Sequence, residues 1–222
     1  MLLLALDTAT PAVTVALHDG SAVIAESAEV DARRHGELLL PAVHRTLKAA
    51  GTELGAVTEI VVGAGPGPYT GLRVGLVTAA TFGSALGVPV HGLCTLDGIA
   101  YAAGQAGLEG LFVVATDARR KEVYWARYDD ARTRVTEPAV DHPADLAERM
   151  AGLPAVGAGA LLYPAAFADV PPGMPEHQSA GALASLAAEK LARGEELPPP
   201  RPLYLRRPDA KVPANYKVVT PK

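Results

Sequence analysis

The sequence predicts an α/β protein made of two copies of one unit. Each unit is a hairpin-rich sheet extended by parallel strands with helices between them. Three observations carry this. An apolar run ends in aspartate twice, at Asp7 and Asp117, and the same spacing of 110 separates Val13 from Val123 and Asp19 from Asp129. Each aspartate is followed by a turn and then by alternating apolar and polar residues. The 222 residues, 49% of them apolar, suffice for two domains of about 100 residues with cores of their own.

In the first half, Leu2–Leu6 is a buried run, Thr8-Ala9-Thr10-Pro11 a turn and Ala12–Leu17 an alternating strand. Asp19-Gly20 is a hairpin signal, and Ala22–Ala28 follows as a third strand. Arg34–Ala50 sets Leu38, Leu39, Ala42, Val43 and Leu47 at helical spacing, with Gly51 just past its end. Glu59–Ala64 reads as a buried strand, Gly71–Leu86 as a helix, Val88–Leu93 as a strand and Thr95–Ala103 as a short helix. The second half starts again with the run Leu111–Thr116, the polar turn Arg119-Arg120-Lys121 and the strand Glu122–Tyr128. Asp129-Asp130 turns the chain into Arg132–Glu137, after which His142–Met150 reads as a helix, Ala155–Gly157 as a short strand and Ala180–Leu191 as a helix.

Parallel strands need crossovers, and antiparallel ones can be joined by tight turns. The mixture found here is that of a ribonuclease H-like unit. Two tandem ribonuclease H-like lobes give the actin/sugar kinase/heat-shock ATPase (ASKHA) architecture. The expected division is a first lobe over 1–104, a more variable second lobe over 105–205 and a basic tail over 206–222. Ligands of this architecture sit between the lobes near the first hairpin of each, so Asp7 and Asp117 are expected on facing walls.

Composition excludes several classes. Glycine and proline make 41 residues, about 18%, below the roughly 25–30% of low-complexity chains. The net charge of −4 argues against a general nucleic-acid coat. It is unevenly spread: residues 201–222 carry +5 and the rest −9. Such a tail either touches an acidic partner or an RNA backbone, or is simply solvated. The 42 alanines against 11 aromatics suit close-packed helices. Val74 to Leu96 holds 23 residues without a formal charge, but Gly83, Gly87, Pro89 and Gly92 break it, so a helix and a short strand fit better than a membrane span. The opening lacks the basic flank of a signal peptide, and the lone Cys94 fits a small buried residue in a reducing cytoplasm.

The chemistry-bearing motifs are few. Gly63 to Arg73, GAGPGPYTGLR, runs from strand to helix, and Thr70 stands where it can cap that helix. Neither G-x-x-x-x-G-K-[ST] nor G-x-G-x-x-G is matched, and two prolines remove amide donors. A stiff turn with an exposed Tyr69 is therefore favoured over a phosphate site. The helix that follows carries Gly71, Gly75 and Gly83, which lets another backbone come close, either its own sheet or a partner's helix. No two of the six histidines are four apart, and no serine sits in G-x-S-x-G. Asp7 reads either as a residue capping turn amides or as a weak nucleotide or metal contact.

Five segments, taken in order, resemble the TsaB family, also called YeaZ. They are Leu4-Ala5-Leu6-Asp7-Thr8-Ala9-Thr10, the helix opening Arg34-His35-Gly36-Glu37-Leu38-Leu39-Leu40-Pro41, the specific GPGPYTGLR stretch at 65–73, Asp117-Ala118-Arg119-Arg120-Lys121-Glu122-Val123-Tyr124 and Pro202-Leu203-Tyr204-Leu205-Arg206. The match is weakest over 138–180. The resemblance implies a catalytically inactive relative of the TsaD transferase, which holds a metal on H-x-x-x-H and moves a threonylcarbamoyl group from an adenylate onto tRNA. The product is N6-threonylcarbamoyladenosine at position 37, beside the anticodon. The implied partners are a TsaD-type catalytic subunit, a TsaE-type ATPase and tRNA through the complex, with a homodimer when the chain is alone and no membrane. No cofactor of its own is implied; ATP and a metal belong to the partner subunits. Pairing is implied through the first-lobe helices, with His35, Leu38, Leu39, Val43, Tyr69, Thr70, Arg73, Val74, Gly75, Thr78, Phe82 and Gly83 at the interface. That favours docking for the small-residue helix. Asp7, Thr8 and Asp117 are candidates for a weak nucleotide contact. The alternative is an active ATP-dependent kinase or ATPase of the same fold, although Gly157-Ala158-Gly159 is the only trace of an adenosine-binding glycine motif in the second lobe. A peptidase finds no catalyst in the sequence.

Overall fold

Strand β1 (Leu3–Asp7) is buried on both faces, and its alternation shows how the first lobe is layered. Leu4 and Leu6 point into one core and Leu3 and Ala5 into another. The computed structural model describes residues 1–206. β1 pairs antiparallel with β2 (Ala12–His18), which pairs with β3 (Val23–Val30). On its other side β1 runs parallel to β4 (Glu59–Gly63), and β4 to β5 (Val90–Leu93), so the sheet order is β3-β2-β1-β4-β5. The crossovers are α1 (His35–Ala49) and α2 (Tyr69–Leu86). Both lie on one face, over Leu4, Leu6, Val13, Val15, Ile60 and Val62.

The second lobe repeats the plan in shorter form. β6 (Phe112–Asp117) pairs antiparallel with β7 (Val123–Asp130), and β7 with β8 (Thr133–Arg134) and β9 (Ala139–Asp141). β10 (Ala155–Val156) runs parallel to β6. The predicted strand over 132–137 shrinks to two residues, and β9 was not expected. The predicted helix over 142–150 is α4 (Pro143–Leu146) followed by turns, and α5 (Ala158–Leu162) is new. The repeat slips by one residue at its hairpin. Asp19 Oδ1 accepts from the Ser21 and Ala22 amides, whereas Asp130, not Asp129, does so for Arg132 and Thr133.

Two helices join the lobes. α3 (Thr95–Gln105) turns Leu96, Ile99, Ala100 and Ala103 toward Phe112, Val114 and Tyr128 of the second sheet and Tyr101 toward the first lobe. α6 (Ala180–Ala192), late in the sequence, packs its alanines and Leu183 and Leu186 on Leu3, Ala5, Ala16 and Val61 of the first sheet. Polar clasps cross the same seam. Asp97 accepts from Tyr128 Oη and Arg134 Nη1, each at 2.7 Å, and the Arg132 guanidinium forks onto Glu189 at 2.7 and 2.8 Å. Cys94 is buried beside Leu96 and Ile99, and burial pushes its thiol up. The long uncharged stretch holds most of α2, a left-handed Gly87 and β5. Among the described residues no helix is long and apolar enough to cross a membrane. Of the expected tail, Arg206 pairs with Glu122 and donates to Ala118 O at 3.0 Å. Residues 207–222 lie outside the described residues.

The glycines of α2 correct one expectation. They face inward rather than toward a partner. A Cβ on Gly75 would lie 2.6 Å from Thr8 Oγ1, and one on Gly83 would overlap the Val90 side chain. Leu38, Leu39 and Val43 of α1, also expected at an interface, are buried in the same core. Gly75→Val and Gly83→Leu should therefore destabilise the isolated chain by about 1–3 kcal/mol through overpacking, lowering Tm by roughly 2–10 °C. Gly36→Ala has open space around its Cβ and should leave Tm unchanged or slightly higher. Thermal unfolding of the three variants separates the cases, and an unshifted Tm for Gly75→Val would contradict inward packing.

Candidate functional site

The mouth between the lobes holds a pocket of about 280 Å³. Its walls are Thr8, Thr10 and Pro11 after β1, Arg33 and His35 at the start of α1, Tyr69, Thr70 and Val74 of α2, and Asp117 and Arg119 of the β6–β7 turn. Thr8 and Asp117, expected at a nucleotide, thus share this pocket with four residues expected at a partner. His35 Nε2 is 2.7 Å from Thr10 O, which fixes the first turn of α1 against the end of the β1–β2 turn.

Below the pocket the polar groups of that turn are used within the protein. Thr8 Oγ1 donates to Gly71 O at 2.7 Å and accepts from the Gly75 amide at 2.9 Å. Thr10 Oγ1 bonds Gln178 Oε1, and Gln178 Nε2 donates to Ala12 O at 2.8 Å. Asp7 Oδ1 accepts from the Ala9 amide at 2.8 Å, and Oδ2 from Thr95 Oγ1 at 2.9 Å. Asp7 is 0% exposed, with the Gly63 backbone over its carboxylate, so it does not face Asp117 across an open cleft. This corrects the facing-walls expectation: a side chain on residue 63 would overlap the carboxylate, and glycine there lets the strand close over it. Asp117 does stand at the pocket, where Arg119 Nη1 is 3.5 Å from its Oδ2 and the Arg119 amide donates to Oδ1 at 2.8 Å.

The remaining predicted residues lie along α2. Tyr69 and Arg73 are exposed, with the Arg73 guanidinium carbon 4.9 Å from the Tyr69 ring centre. Val74, Thr78 and Phe82 are half-buried, on the stripe that also exposes Val77. Thr70 does not cap the helix; the cap position is Pro68, which offers no side-chain acceptor. Sequence reasoning missed Gln178. It is a single glutamine in an irregular stretch, with no periodicity to mark it. Among the described residues no group of three or more His, Cys, Asp or Glu side chains is placed to hold a metal ion.

The family model for tRNA N6-adenosine threonylcarbamoyltransferase, TsaD, matches residues 23–175. A Mycobacterium tuberculosis protein described as uncharacterized is 47% identical over 213 residues, 94% of this chain and 93% of that protein. The Escherichia coli tRNA threonylcarbamoyladenosine biosynthesis protein TsaB is 38% identical over 128 residues; the match covers 58% of this chain and 55% of the E. coli protein. The structure of YeaZ from Pseudomonas aeruginosa superposes with a TM-score of 0.77 at 32% identity, covering 92% of this chain and 99% of that one.

Burial dominates the electrostatics of Asp7 and pushes its pKa from 3.8 up to about 6, against the opposing Ala9 and Thr95 hydrogen bonds. A folded-state pKa above the unfolded one means that folding takes up a proton. The associated stability is present below about pH 4 and is lost as pH rises through about 6, a total of roughly 3 kcal/mol. Asp7→Asn removes this titration. Its stability relative to the unaltered chain should rise by up to that amount between pH 4 and pH 7, as measured by denaturant unfolding across the range. Parallel pH profiles for the two proteins would contradict the buried, titrating carboxyl.

Proposed function

The chain belongs to the TsaB (YeaZ) family, and from that premise we propose that it serves tRNA threonylcarbamoyladenosine biosynthesis as the non-catalytic partner and activator of a TsaD-type transferase. A TsaE-type ATPase completes the assembly, tRNA is engaged through the complex, and the modified base is the adenosine at position 37. ATP and metal chemistry belong to the partner subunits, and the tRNA substrate puts the site of action in the cytoplasm.

The observation that carries this reading is the closed turn after β1. The hydroxyls of Thr8 and Thr10 and the Asp7 carboxylate are each committed to partners within the chain. A phosphate or metal ion placed there would have to break those bonds, and a buried polar group left unpaired costs about 1–3 kcal/mol. This weighs against the kinase or ATPase alternative, whose basis was Asp7 and Asp117 on facing walls. The same fold leaves an outward stripe free for a partner. Leu40 of α1 is 56% exposed and Val77 of α2 is 59% exposed, and both stand on helices whose inner faces are fully used. Val74, Thr78 and Phe82 border it along α2, half-buried, with Val74 and Phe82 also packed on the core.

Co-expression with the TsaD-type subunit of the same organism tests the proposal. Leu40→Asp and Val77→Asp should weaken the complex at least tenfold, since each buries an unpaired charge, while leaving the Tm of the isolated chain unchanged. Cells depleted of the chain should lose threonylcarbamoyladenosine from their tRNA by nucleoside analysis. ATP turnover by the purified chain alone, or an unmodified complex with both aspartate variants, would overturn the reading.

A further inference from the structure

Tyr69 and Tyr204 lie ring to ring at the edge of the mouth, with centroids 5.2 Å apart and planes tilted by 32°. Both are open to solvent, at 54% and 46% exposure. Tyr204 is brought there by a segment pinned on both sides. The Gly92 amide donates to Pro198 O at 2.8 Å, the Leu203 amide to Ala64 O at 2.8 Å, and Arg206 is tied to Ala118 O and Glu122. This places the tyrosine pair beside the β6–β7 turn.

One guanidinium stacks on the pair and others stand nearby. Arg73 lies over Tyr69 and bonds its hydroxyl at 2.6 Å, exposed Arg33 and Arg119 share the pocket with Tyr69, and Arg206 stands two residues beyond Tyr204. Two acids, Asp117 and Glu122, offset part of this charge. The patch is therefore cationic on a body whose residues 1–200 carry −9.

Exposed aromatic rings interleaved with guanidiniums match one partner chemistry: a nucleic-acid strand with unpaired bases. Its bases supply π-faces to stack and its phosphates supply charge. An apolar protein surface would bury the guanidiniums without partners, and an acidic peptide would leave the rings unused. We propose that this patch holds a short unpaired stretch of RNA, with one base stacked on Tyr204 and phosphates at Arg33 and Arg119. The proposal rests on the preceding reading for the identity of the nucleic acid as RNA.

The test is fluorescence anisotropy of a labelled single-stranded RNA of about eight nucleotides, and of unmodified tRNA, with the full chain at about 50 mM salt. Loss of one stacked base should weaken binding by about tenfold in Tyr204→Ala, while Tyr204→Phe stays within about twofold because the ring remains. Arg119→Gln should weaken binding and flatten the salt dependence by about 0.7 in log–log slope, as for one phosphate contact. Tm is measured for each variant. Should Tyr204→Ala unfold, the Phe and Gln variants still decide the matter. No binding by the unaltered chain, an Ala variant that binds as well as it, a Phe variant as weak as Ala, or an unchanged salt slope in Arg119→Gln would each overturn the proposal. The same variants go through co-purification with the TsaD-type subunit. Loss of the complex with RNA binding retained would make the patch a protein interface and also overturn the proposal. An unaltered chain that forms the complex yet binds no RNA would overturn it and leave the partner role standing, whereas variants that keep the complex and lose RNA binding are the expected result.

Discussion

The turn between β1 and β2 has to satisfy its own polar groups, and the rest of the first lobe is arranged around that need. Asp7, Thr8 and Thr10 are all buried at 5% exposure or less. Buried polar groups must find partners, and here each partner comes from a different element. Thr95 arrives with α3, the Gly71 carbonyl and Gly75 amide with α2, and Gln178 with the approach to α6. Three helices are thereby referenced to the four residues Asp7 to Thr10. A missing partner would leave a buried group unpaired, so their positions are set by hydrogen bonding as well as by apolar contact.

That arrangement explains how the two lobes become one body. α3 starts at the Thr95 bond to Asp7 and ends between the two sheets, with one face in each core. α6 starts just after the Gln178 bonds, is capped by Ser179 accepting from the Ala182 amide at 2.9 Å, and returns along the first sheet. The charged clasps, Asp97 with Tyr128 and Arg134 and Glu189 with Arg132, lie on these same two helices. A hinge between the lobes would have to break the clasps and part the apolar faces of α3 together. The seam is therefore built for a fixed relation between lobes.

Much of this was legible in the sequence, for local reasons. Strand period and turn chemistry located β1 to β7, and the spacing of 110 exposed the duplication because each lobe opens with the same apolar run, aspartate and hairpin. What stayed hidden was address. Helix α6 is rich in alanine, and an alanine face does not say which sheet it will meet. Gln178 carries no pattern that distinguishes it from a solvated loop residue. The glycines of α2 mark close approach, but a sequence does not say from which side the neighbour comes. Asp7 was legible as a residue capping turn amides, which is one of the things it does, and not as a residue sealed beneath Gly63.

Helix α2 shows why side matters more than composition here. Gly75, Leu76, Ala79 and Gly83 face its own sheet, while Arg73, Val77, Ala80 and Thr81 face out. Each residue of a helix is turned by about 100° from the last, so neighbouring positions serve different surfaces. Small residues on the inner side let the helix sit close to Thr8 and Val90. The outer side is then free to carry exposed apolar and basic groups such as Val77 and Arg73. The helix can therefore tolerate change on its outer face, while a side chain added at Gly83 on its inner face overlaps Val90 and costs stability. Whatever binds outside is recognised by residues that folding left unconstrained, and the rigid inner face supplies the fixed platform that such recognition needs.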